Sequence, residues 1–177
     1  MRNVVLYQLL SLDGVAEEPS DWMAKADEAL FENLGRVIGA QDAVLLGRGT
    51  YDYWVGYWPS SDNQPFADFI NGTQKHVFTS TTPPETWSES SFVDAPAGAY
   101  VAELKRQPGG DIGIHGSISL ARSLLEAELI DELRLVISPT VAGRGRRLFA
   151  GGDLHRFELL DLGRTTTGAI IAGYARR

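Results

Sequence analysis

The sequence predicts a single α/β domain over residues 1–177, with a mixed, mostly parallel sheet that ends in an antiparallel C-terminal hairpin. Three observations predict this fold class. Short apolar runs alternate with helix-like segments, an order typical of a parallel sheet with helices on both faces. The C-terminal part instead has two segments of alternating apolar and polar residues separated by a turn. The length of 177 residues is that of one domain.

The strands are predicted where β-branched and other apolar residues run between Gly, Asp or Ser. They span residues 4–10, 42–46, 75–79, 111–114 and 133–138, and the hairpin pairs 156–164 with 168–175. Residues 80–91 are rich in Pro, Ser and Thr and are predicted to form a surface loop.

The helices are predicted between these strands. A long helix capped by Ser20 or Asp21 is predicted to run to about Ile38. Further helical segments are predicted at residues 51–55, 66–70, 97–107 and 117–127.

Composition excludes several classes of protein and site. Hydrophobic residues make up 44% of the chain and charged residues 22%, which argues against disorder. Cysteine is absent, which excludes disulfides and thiolate metal sites, and the three scattered histidines argue against any metal site. The net charge of −7 argues against a nucleic-acid partner. With no signal-peptide pattern and no apolar run of membrane-spanning length, we expect a cytoplasmic protein.

Two strand-to-helix junctions have the pattern of an anion site. The first is Gly47-Arg48-Gly49-Thr50 and the second is His115-Gly116-Ser117. Each offers glycine for close approach to the backbone and a hydroxyl residue at the expected N-cap. Helix N-termini attract anions, and Arg48 adds a positive charge, so two such junctions in one sheet suit a pyrophosphate. The alternative is that the glycines only end strands and the hydroxyls only cap helices.

A third loop, Thr79-Ser80-Thr81-Thr82, follows the strand that contains His76, Val77 and Phe78. Its hydroxyl groups could bind a ribose phosphate or form a solvated turn. The glycine motif of Rossmann domains is absent at both Gly-x-Gly sequences of the chain, because neither has the third glycine.

One carboxylate, Asp27, lies on the apolar face of the long predicted helix. At ~100° per residue, Leu34 and Ile38 fall within about 20° of it on the helical wheel. A buried carboxylate needs a partner, so Asp27 is either held by a structural contact or faces a ligand pocket. In a pocket, burial would raise its pKa and suit it to proton transfer, which makes Asp27 the candidate catalytic acid.

Taken together in order, these pieces resemble the dihydrofolate reductase superfamily. The closest resemblance is to stand-alone relatives of the reductase domain of the bifunctional riboflavin-biosynthesis deaminase–reductase. The matching segments cover nearly the whole chain: Ser11-Leu12-Asp13-Gly14, Asp21-Trp22, Leu46 to Tyr51, Val77-Phe78-Thr79-Ser80, Ile114-His115-Gly116-Ser117, Leu129 to Leu133, Ser138-Pro139 and Gly143-x-Gly145.

This resemblance implies a three-layer α/β/α domain that binds NADPH at the strand ends. It implies that the motif from Gly47 to Thr50 holds cofactor phosphates. Thr79, Ser80 and Thr81 would lie near the adenosine ribose phosphate, and Gly116 and Ser117, with His115 beside them, near the pyrophosphate. Leu12, Asp13 and Gly14 would lie near the nicotinamide and the substrate.

We therefore expect an NADPH-dependent reductase that transfers hydride to a C=N or C=O bond of a small heterocyclic substrate. The substrate would be pterin- or pyrimidine-like, as for dihydrofolate reductase or 5-amino-6-(5-phosphoribosylamino)uracil reductase. One alternative is a non-catalytic nucleotide- or ligand-binding protein on the same scaffold, and another is a structural oligomer subunit. The preference for NADPH over NADH stays open, and a homodimer is a further expectation.

Overall fold

The computed structural model describes all 177 residues and contains eight strands and five α-helices. The strands are β1 (Val4–Leu10), β2 (Gln41–Gly47), β3 (Gln74–Phe78), β4 (Ser90–Val93), β5 (Asp111–His115), β6 (Glu132–Ile137), β7 (Phe157–Arg164) and β8 (Ile170–Arg176). The helices are α1 (Glu28–Ile38), α2 (Arg48–Trp54), α3 (Phe66–Gly72), α4 (Ala97–Leu104) and α5 (Ile118–Glu126).

All eight strands join one sheet in the order β4-β3-β2-β5-β1-β6-β8-β7. The six strands from β4 to β6 pair in parallel, whereas β8 pairs antiparallel with both β6 and β7. The predicted mixed sheet with a C-terminal antiparallel hairpin is therefore confirmed. No helix is both long enough and apolar enough to span a lipid bilayer.

Helices cover both faces of the sheet, as the three-layer prediction requires. On one face, Val101 of α4 and Leu124 of α5 pack against Leu6 and Ile114 of the central strands. On the other face, α1, α2 and α3 pack against side chains of opposite parity, such as Val5. Fully burying one such aliphatic side chain contributes about 1.5–3 kcal/mol, so these two layers fix the sheet and the loops that leave it.

The first helix differs from its prediction. It begins at Glu28, not at Ser20 or Asp21, because Asp27 is the N-cap and accepts a hydrogen bond from the Leu30 amide at 3.1 Å. The segment before it contains only a 3₁₀ turn at Pro19–Asp21. The spacing of the apolar residues did not show where the helix begins, since an aspartate can lie inside a helix or cap its N-terminus.

Two further differences concern β4 and α2. The predicted loop of residues 80–91 overlaps a four-residue edge strand, β4, whose sequence Ser-Ser-Phe-Val does not alternate between polar and apolar residues. Helix α2 begins at Arg48, three residues before its predicted start, so Gly47 is the N-cap. The sequence Arg48-Gly49-Thr50 is therefore the first turn of a helix and not a loop.

Candidate functional site

Five loops meet at one edge of the sheet. Strands β3, β2, β5, β1 and β6 are consecutive and parallel, so the segments that follow their carboxyl ends all lie along that edge. Parallel α/β sheets bind ligands at this edge. The predicted residues 12–14, 47–50, 79–81 and 115–117 are brought together there, although they are up to about a hundred residues apart in the chain.

The N-termini of α2 and α5 are joined at this edge. The amide of Gly47 donates to the hydroxyl oxygen of Ser117 at 3.0 Å, and the hydroxyl of Thr50 donates to the carbonyl of Gly116 at 3.3 Å. Neither helix has a side-chain cap. The prediction of a hydroxyl residue at the N-cap is confirmed for Ser117 of α5 and wrong for Thr50, since Gly47 is the N-cap of α2. Neither hydroxyl caps its own helix, because both bridge the two junctions. The first-turn amides of two neighbouring helices stay without a capping acceptor, which favours an anion between them.

Arg48 lies beside these helix ends but is already paired. Its Nε donates to both carboxylate oxygens of Asp52 at 2.7 Å, and its Nη1 donates to the hydroxyl of Thr81 at 2.8 Å and that of Thr79 at 3.2 Å. Only Nη2 is without a protein partner. Arg48 thus fixes the loop after β3 to α2. The carboxylate of Asp52 offsets part of the positive charge of Arg48, which the sequence analysis assigned to anion binding.

The loop after β3 is a compact turn. Thr79 donates its hydroxyl to the carbonyl of Thr81 at 2.7 Å and accepts from the Thr81 amide at 3.2 Å, while Ser80 is exposed. These hydrogen bonds form the predicted turn, and the exposed hydroxyl of Ser80 is free to donate to a ligand beside Arg48.

Glycine at position 116 is required by packing. Its φ is +67°, and a Cβ built there would lie 2.7 Å from Cζ2 of Trp54. Gly49 has no atom within 4 Å of its Cβ position. The space beside Gly49 in α2 is therefore open to another molecule, whereas the space beside Gly116 is filled by the Trp54 ring.

His115 does not present its ring to this edge. The imidazole is buried, its Nε2 lies 2.8 Å from Oε1 of Gln41, and Phe66 and Phe69 pack against it. Burial lowers the pKa of His115 to about 3, so the ring is neutral at physiological pH. The resemblance implies a place for His115 beside the pyrophosphate, but its side chain does not face this edge, because strand alternation turns it toward the α1 and α3 layer.

The loop after β1 is held by Asp13. Its carboxylate accepts from the Ser11 hydroxyl at 2.7 Å and from the amides of Ala142 at 2.9 Å and Gly143 at 3.0 Å. The Ser11 hydrogen bond, with these amides, lowers the pKa of Asp13 to about 2. Leu12 beside it is 59% exposed, an apolar side chain facing solvent at the site edge. Gly14 takes a φ of +79°, which turns the chain after Asp13.

Asp27 does not lie in the apolar stripe of a helix. Besides capping α1, it accepts from the amide and the hydroxyl of Thr166, both at 2.6 Å. The Thr166 hydrogen bonds lower the pKa of Asp27, opposite to the rise expected of a pocket acid. These contacts account for the carboxylate structurally, by joining α1 to the turn between β7 and β8.

Sequence reasoning did not select the loop after β6, residues 138–145, as part of the site. It lies at the same edge, and with the segment after β1 it surrounds a cavity of about 350 Å³. The lining residues are Glu17, Glu18, Asp21, Trp22, Ala142, Arg144 and Gly145. The available signal was topological, since β6 was already predicted to be a parallel strand.

No group of three or more His, Asp or Glu side chains is arranged to hold a metal ion.

Comparison with known proteins identifies the family. The profile of the RibD C-terminal domain matches residues 2–171. In Bacillus subtilis (strain 168), the uncharacterized protein YyaP is 30% identical over 155 residues, which is 84% of this chain and 80% of YyaP. The uncharacterized protein YwjB of the same organism is 29% identical over 153 residues, 84% of this chain and 83% of YwjB.

Solved structures share the fold at low identity. One from Shewanella sp. PV-4 has a TM-score of 0.78 at 18% identity and covers 99% of both chains. A pyrimidine reductase-like protein from Corynebacterium diphtheriae has a TM-score of 0.70 at 15% identity, over 99% of this chain and 92% of the other. A diaminohydroxyphosphoribosylaminopyrimidine deaminase/5-amino-6-(5-phosphoribosylamino)uracil reductase from Thermotoga maritima has a TM-score of 0.69 at 14% identity, over 99% of this chain and 57% of that one.

Proposed function

This chain belongs to the RibD C-terminal domain family, a reductase-like family, and we propose that it is an NADPH-dependent reductase of a small pyrimidine-like substrate. The cofactor would lie along the carboxyl edge of the sheet, and hydride would be transferred to a C=N or C=O bond. The names of two structural neighbours, a pyrimidine reductase-like protein and a uracil reductase, support this substrate class.

The observation that carries the proposal is the pair of uncapped helix N-termini joined by Gly47 and Ser117. The positive ends of two helix dipoles point at one place, and the pyrophosphate of a dinucleotide carries two phosphates that would occupy it. The residues at this edge therefore fit the group in charge and in donor chemistry. Arg48 Nη2 and the hydroxyl of Thr81 are the candidates to hold a further phosphate, since the Thr79 hydroxyl already donates to the Thr81 carbonyl.

The cofactor, when bound, supplies the hydride, so the protein need only bind, orient and exclude water. Reduction of a C=O or C=N bond also consumes one proton. The carboxylate of Asp13 has a pKa of about 2 and that of Asp27 is also lowered, so both are ionised at neutral pH. Neither holds a proton to donate, and we assign proton delivery to solvent water that enters beside the substrate.

The ionised state of both Asp13 and Asp27 is also the observation that favours a second candidate, a non-catalytic nucleotide-binding protein on the same scaffold. Such a protein would use the same helix ends and would bind the cofactor without consuming it. The two functions therefore differ in turnover and not in binding.

The deciding experiment has two steps. Intrinsic fluorescence of the four tryptophans is titrated with NADPH and, in parallel, with NADH. Nicotinamide absorbance is then followed with 5-amino-6-(5-phosphoribosylamino)uracil and, separately, with dihydrofolate. Tight NADPH binding with substrate-dependent loss of absorbance supports the reductase. Binding without consumption supports the second candidate, and no binding of either nucleotide overturns both.

A further inference from the structure

The cavity between the loops after β1 and β6 differs in charge from the helix ends beside it. It has a volume of about 350 Å³, and its walls carry three carboxylates, on Glu17, Glu18 and Asp21, and one guanidinium, on Arg144. Small-molecule pockets usually measure roughly 300–1,000 Å³, so this space has room for one ring compound. We name it the Trp22 cavity, defined by the lining residues given above.

The Trp22 cavity adjoins the helix ends where we place the cofactor pyrophosphate. Strand β1 lies between β5 and β6 in the sheet, so the loops after β1 and β6 run beside the junction of β5 and α5. Asp13 links these loops by accepting from the amide of Ala142, a wall residue, at 2.9 Å. Helix N-termini attract anions, whereas the carboxylates of the cavity repel them. Phosphate is therefore favoured at one place and disfavoured at the next.

The walls of the cavity are formed before any ligand binds. The loop after β1 pairs with the loop after β6, since the Ala16 amide donates to the carbonyl of Arg146 at 2.9 Å. Gly145 lies close to this pairing with a φ of +107°, and a Cβ built there would lie 2.8 Å from Cγ1 of Val15. Backbone hydrogen bonds and close packing hold both loops, so little ordering of the walls opposes binding.

Part of the negative charge in the walls has no partner within the protein. Glu17 is paired, since it accepts from Nε of Arg146 at 2.7 Å and from the Arg146 amide at 3.1 Å, and these hydrogen bonds lower the pKa of Glu17. Glu18 and Asp21 are exposed and form no side-chain hydrogen bond or ion pair. Two free carboxylates against one free guanidinium, that of Arg144, leave the cavity with an excess of one negative charge.

Arg144 is the free cation of the cavity. The next two arginines of its loop are committed to carboxylates, Arg146 to Glu17 at 2.7 Å and Arg147 to Asp13 at 3.4 Å. Arg144 lines the cavity and forms no ion pair. Its guanidinium offers N–H donors in a planar fork, which can bind the carbonyl oxygen of a neutral ring. One positive group beside two negative ones suits a ligand that presents several N–H donors and one acceptor.

Trp22 gives the cavity an aromatic wall. Its Nε1 donates to the carbonyl of Glu17 at 2.9 Å, which fixes the indole relative to the loop after β1. Because this N–H is occupied, the indole offers a ligand its apolar surface. A flat heterocycle can stack on such a ring, and aminopyrimidines and pterins are flat rings that carry N–H donors and carbonyl oxygens.

We propose that the Trp22 cavity takes the ring of an unphosphorylated aminopyrimidine or pterin, with ring N–H groups facing Glu18 and Asp21 and a carbonyl oxygen facing Arg144. A phosphate ester on the same compound lowers its affinity, because the phosphate meets two unpaired carboxylates. This inference rests on the proposed function, since it specifies the substrate class of that reductase. The class differs from the phosphoribosyl compound in the name of the Thermotoga maritima neighbour.

Titration calorimetry of the full chain with two matched probes tests the proposal. One probe is 5-amino-6-(5-phosphoribosylamino)uracil, and the other is the same compound after a phosphatase has removed its phosphate. Both are titrated with and without NADP⁺. We expect the unphosphorylated probe to bind at least about tenfold more tightly at low salt. The difference should shrink at about 1 M NaCl, because salt screens the carboxylates of the walls.

Reversing one wall charge provides the second test. Glu18→Lys should strengthen binding of the phosphorylated probe at least about tenfold, because the cavity then carries an excess of one positive charge. Glu32→Lys, an equal change of charge at an exposed residue of α1 outside the cavity, is the matched control and should leave both affinities unchanged. Trp22→Phe should remove most of the tryptophan fluorescence change caused by the unphosphorylated probe. Circular dichroism melting verifies that each variant is folded.

The proposal is overturned if the wild type binds the phosphorylated probe as tightly as the other probe, or binds neither. A preference that persists at high salt would be steric and would overturn it, as would a fluorescence change that persists in Trp22→Phe. Tighter binding of the phosphorylated probe that Arg144→Ala abolishes would overturn it by making Arg144 a phosphate anchor.

Failure of the reductase itself gives a different result. If NADPH and NADH do not bind, or if the unphosphorylated probe binds without oxidation of NADPH, the proposed function fails while the calorimetric preference stands. If NADPH is consumed only with the phosphorylated probe, the reductase stands and the assignment of the cavity fails.

Discussion

The hydroxyl oxygen of Ser117 accepts a hydrogen bond from the backbone amide of Gly47 at 3.0 Å, and this contact joins the N-termini of two helices 70 residues apart in the chain. Ser117 is buried at the start of α5, so its hydroxyl is committed to the neighbouring junction instead of its own helix. The two helix ends are thereby held at a fixed separation before any ligand arrives, which lowers the cost of ordering a site.

Ser117→Ala is expected to loosen this junction. The substitution leaves the Gly47 amide without its acceptor, which costs about 1–3 kcal/mol when the donor is buried. We expect a lower free energy of unfolding in urea and weaker NADPH binding. Ser119→Ala, an exposed serine two positions further along α5, is the control and should change neither quantity. Unchanged stability and affinity in Ser117→Ala would show that the helix ends are positioned without this bond.

Arg48 and Asp52 are expected to act in opposite directions. Arg48→Ala removes a charged donor beside the helix ends and should raise the dissociation constant of NADPH about tenfold or more, since a charge-assisted hydrogen bond contributes roughly 1.5–3 kcal/mol. Asp52→Asn removes the carboxylate that pairs with Arg48 and should lower the same constant. Fluorescence titration at low and high salt measures both. The pair Glu103 and Arg106, exposed on and just after α4, provides the matched control. If Asp52→Asn weakens binding, the ion pair orients Arg48 for the ligand and does not compete with it.

The two glycines of the helix ends should respond differently to alanine. Gly116→Ala forces a Cβ against the Trp54 ring in a left-handed backbone conformation, so it is expected to destabilise the fold by about 1–3 kcal/mol. Gly49→Ala adds a methyl group in open space within α2 and should leave stability equal or up to about 1 kcal/mol higher. If the cofactor approaches α2 closely, Gly49→Ala will nevertheless bind NADPH more weakly. Equal affinity would place the phosphates away from this turn.

Lys75 is expected to make stability depend on pH. Its side chain is fully buried, donates to the carbonyls of Ile70 at 2.8 Å and Thr73 at 2.9 Å, and lies over the Trp87 ring. Burial lowers its pKa from 10.5 to about 8. Between these values the unfolded chain binds more protons than the folded one, so the free energy of unfolding should rise with pH.

Urea unfolding at about pH 8 and about pH 9.5 measures this rise. Both values lie below the range in which Tyr7 contributes, since burial raises the pKa of Tyr7 from 10.0 to about 12. Lys75→Met keeps the apolar stem and should abolish the rise. A pH dependence that persists in Lys75→Met would assign it to other groups.

Asp27 is expected to support the fold. Asp27→Ala removes the N-cap of α1 and the acceptor for Thr166, so we expect a lower melting temperature. Asp27→Asn keeps one acceptor oxygen, enough to cap α1 but not also to accept from the Thr166 amide, so it should melt between Asp27→Ala and the wild type. If turnover is found, we expect kcat to stay unchanged in Asp27→Asn. A large loss of kcat in that variant, with an unchanged melting temperature, would restore Asp27 as the catalytic acid.

Most of the fold could be predicted from local patterns. Strand β1 was predicted to the residue from a continuous apolar run, which is typical of a strand buried on both faces. The hairpin was found from two alternating segments separated by a turn. Strand β4 could not be predicted in this way. It is a four-residue edge strand with two serines followed by Phe92 and Val93, too short to show a period, and its pairing with β3 makes it a strand.

The start of α1 was missed for a related reason. Asp27 has the helical spacing of a buried residue, but its hydrogen bonds to Thr166, 139 residues away, come from packing. A wheel of one helix contains no information on such a partner.

The sequence by itself determined the order of the helices and of every strand except β4, and the positions of the glycine- and hydroxyl-rich segments that follow the strands. These follow from periodicity and backbone freedom, which are properties of neighbouring residues. Only the tertiary structure decided what each side chain does at the carboxyl edge of the sheet. His115 turns into the core, Asp52 forms an ion pair with Arg48, and the Ser117 hydroxyl accepts from the Gly47 amide. Those outcomes depend on which strands become neighbours, because hydrogen bonds and ion pairs act over a few ångströms and join residues that the chain keeps far apart.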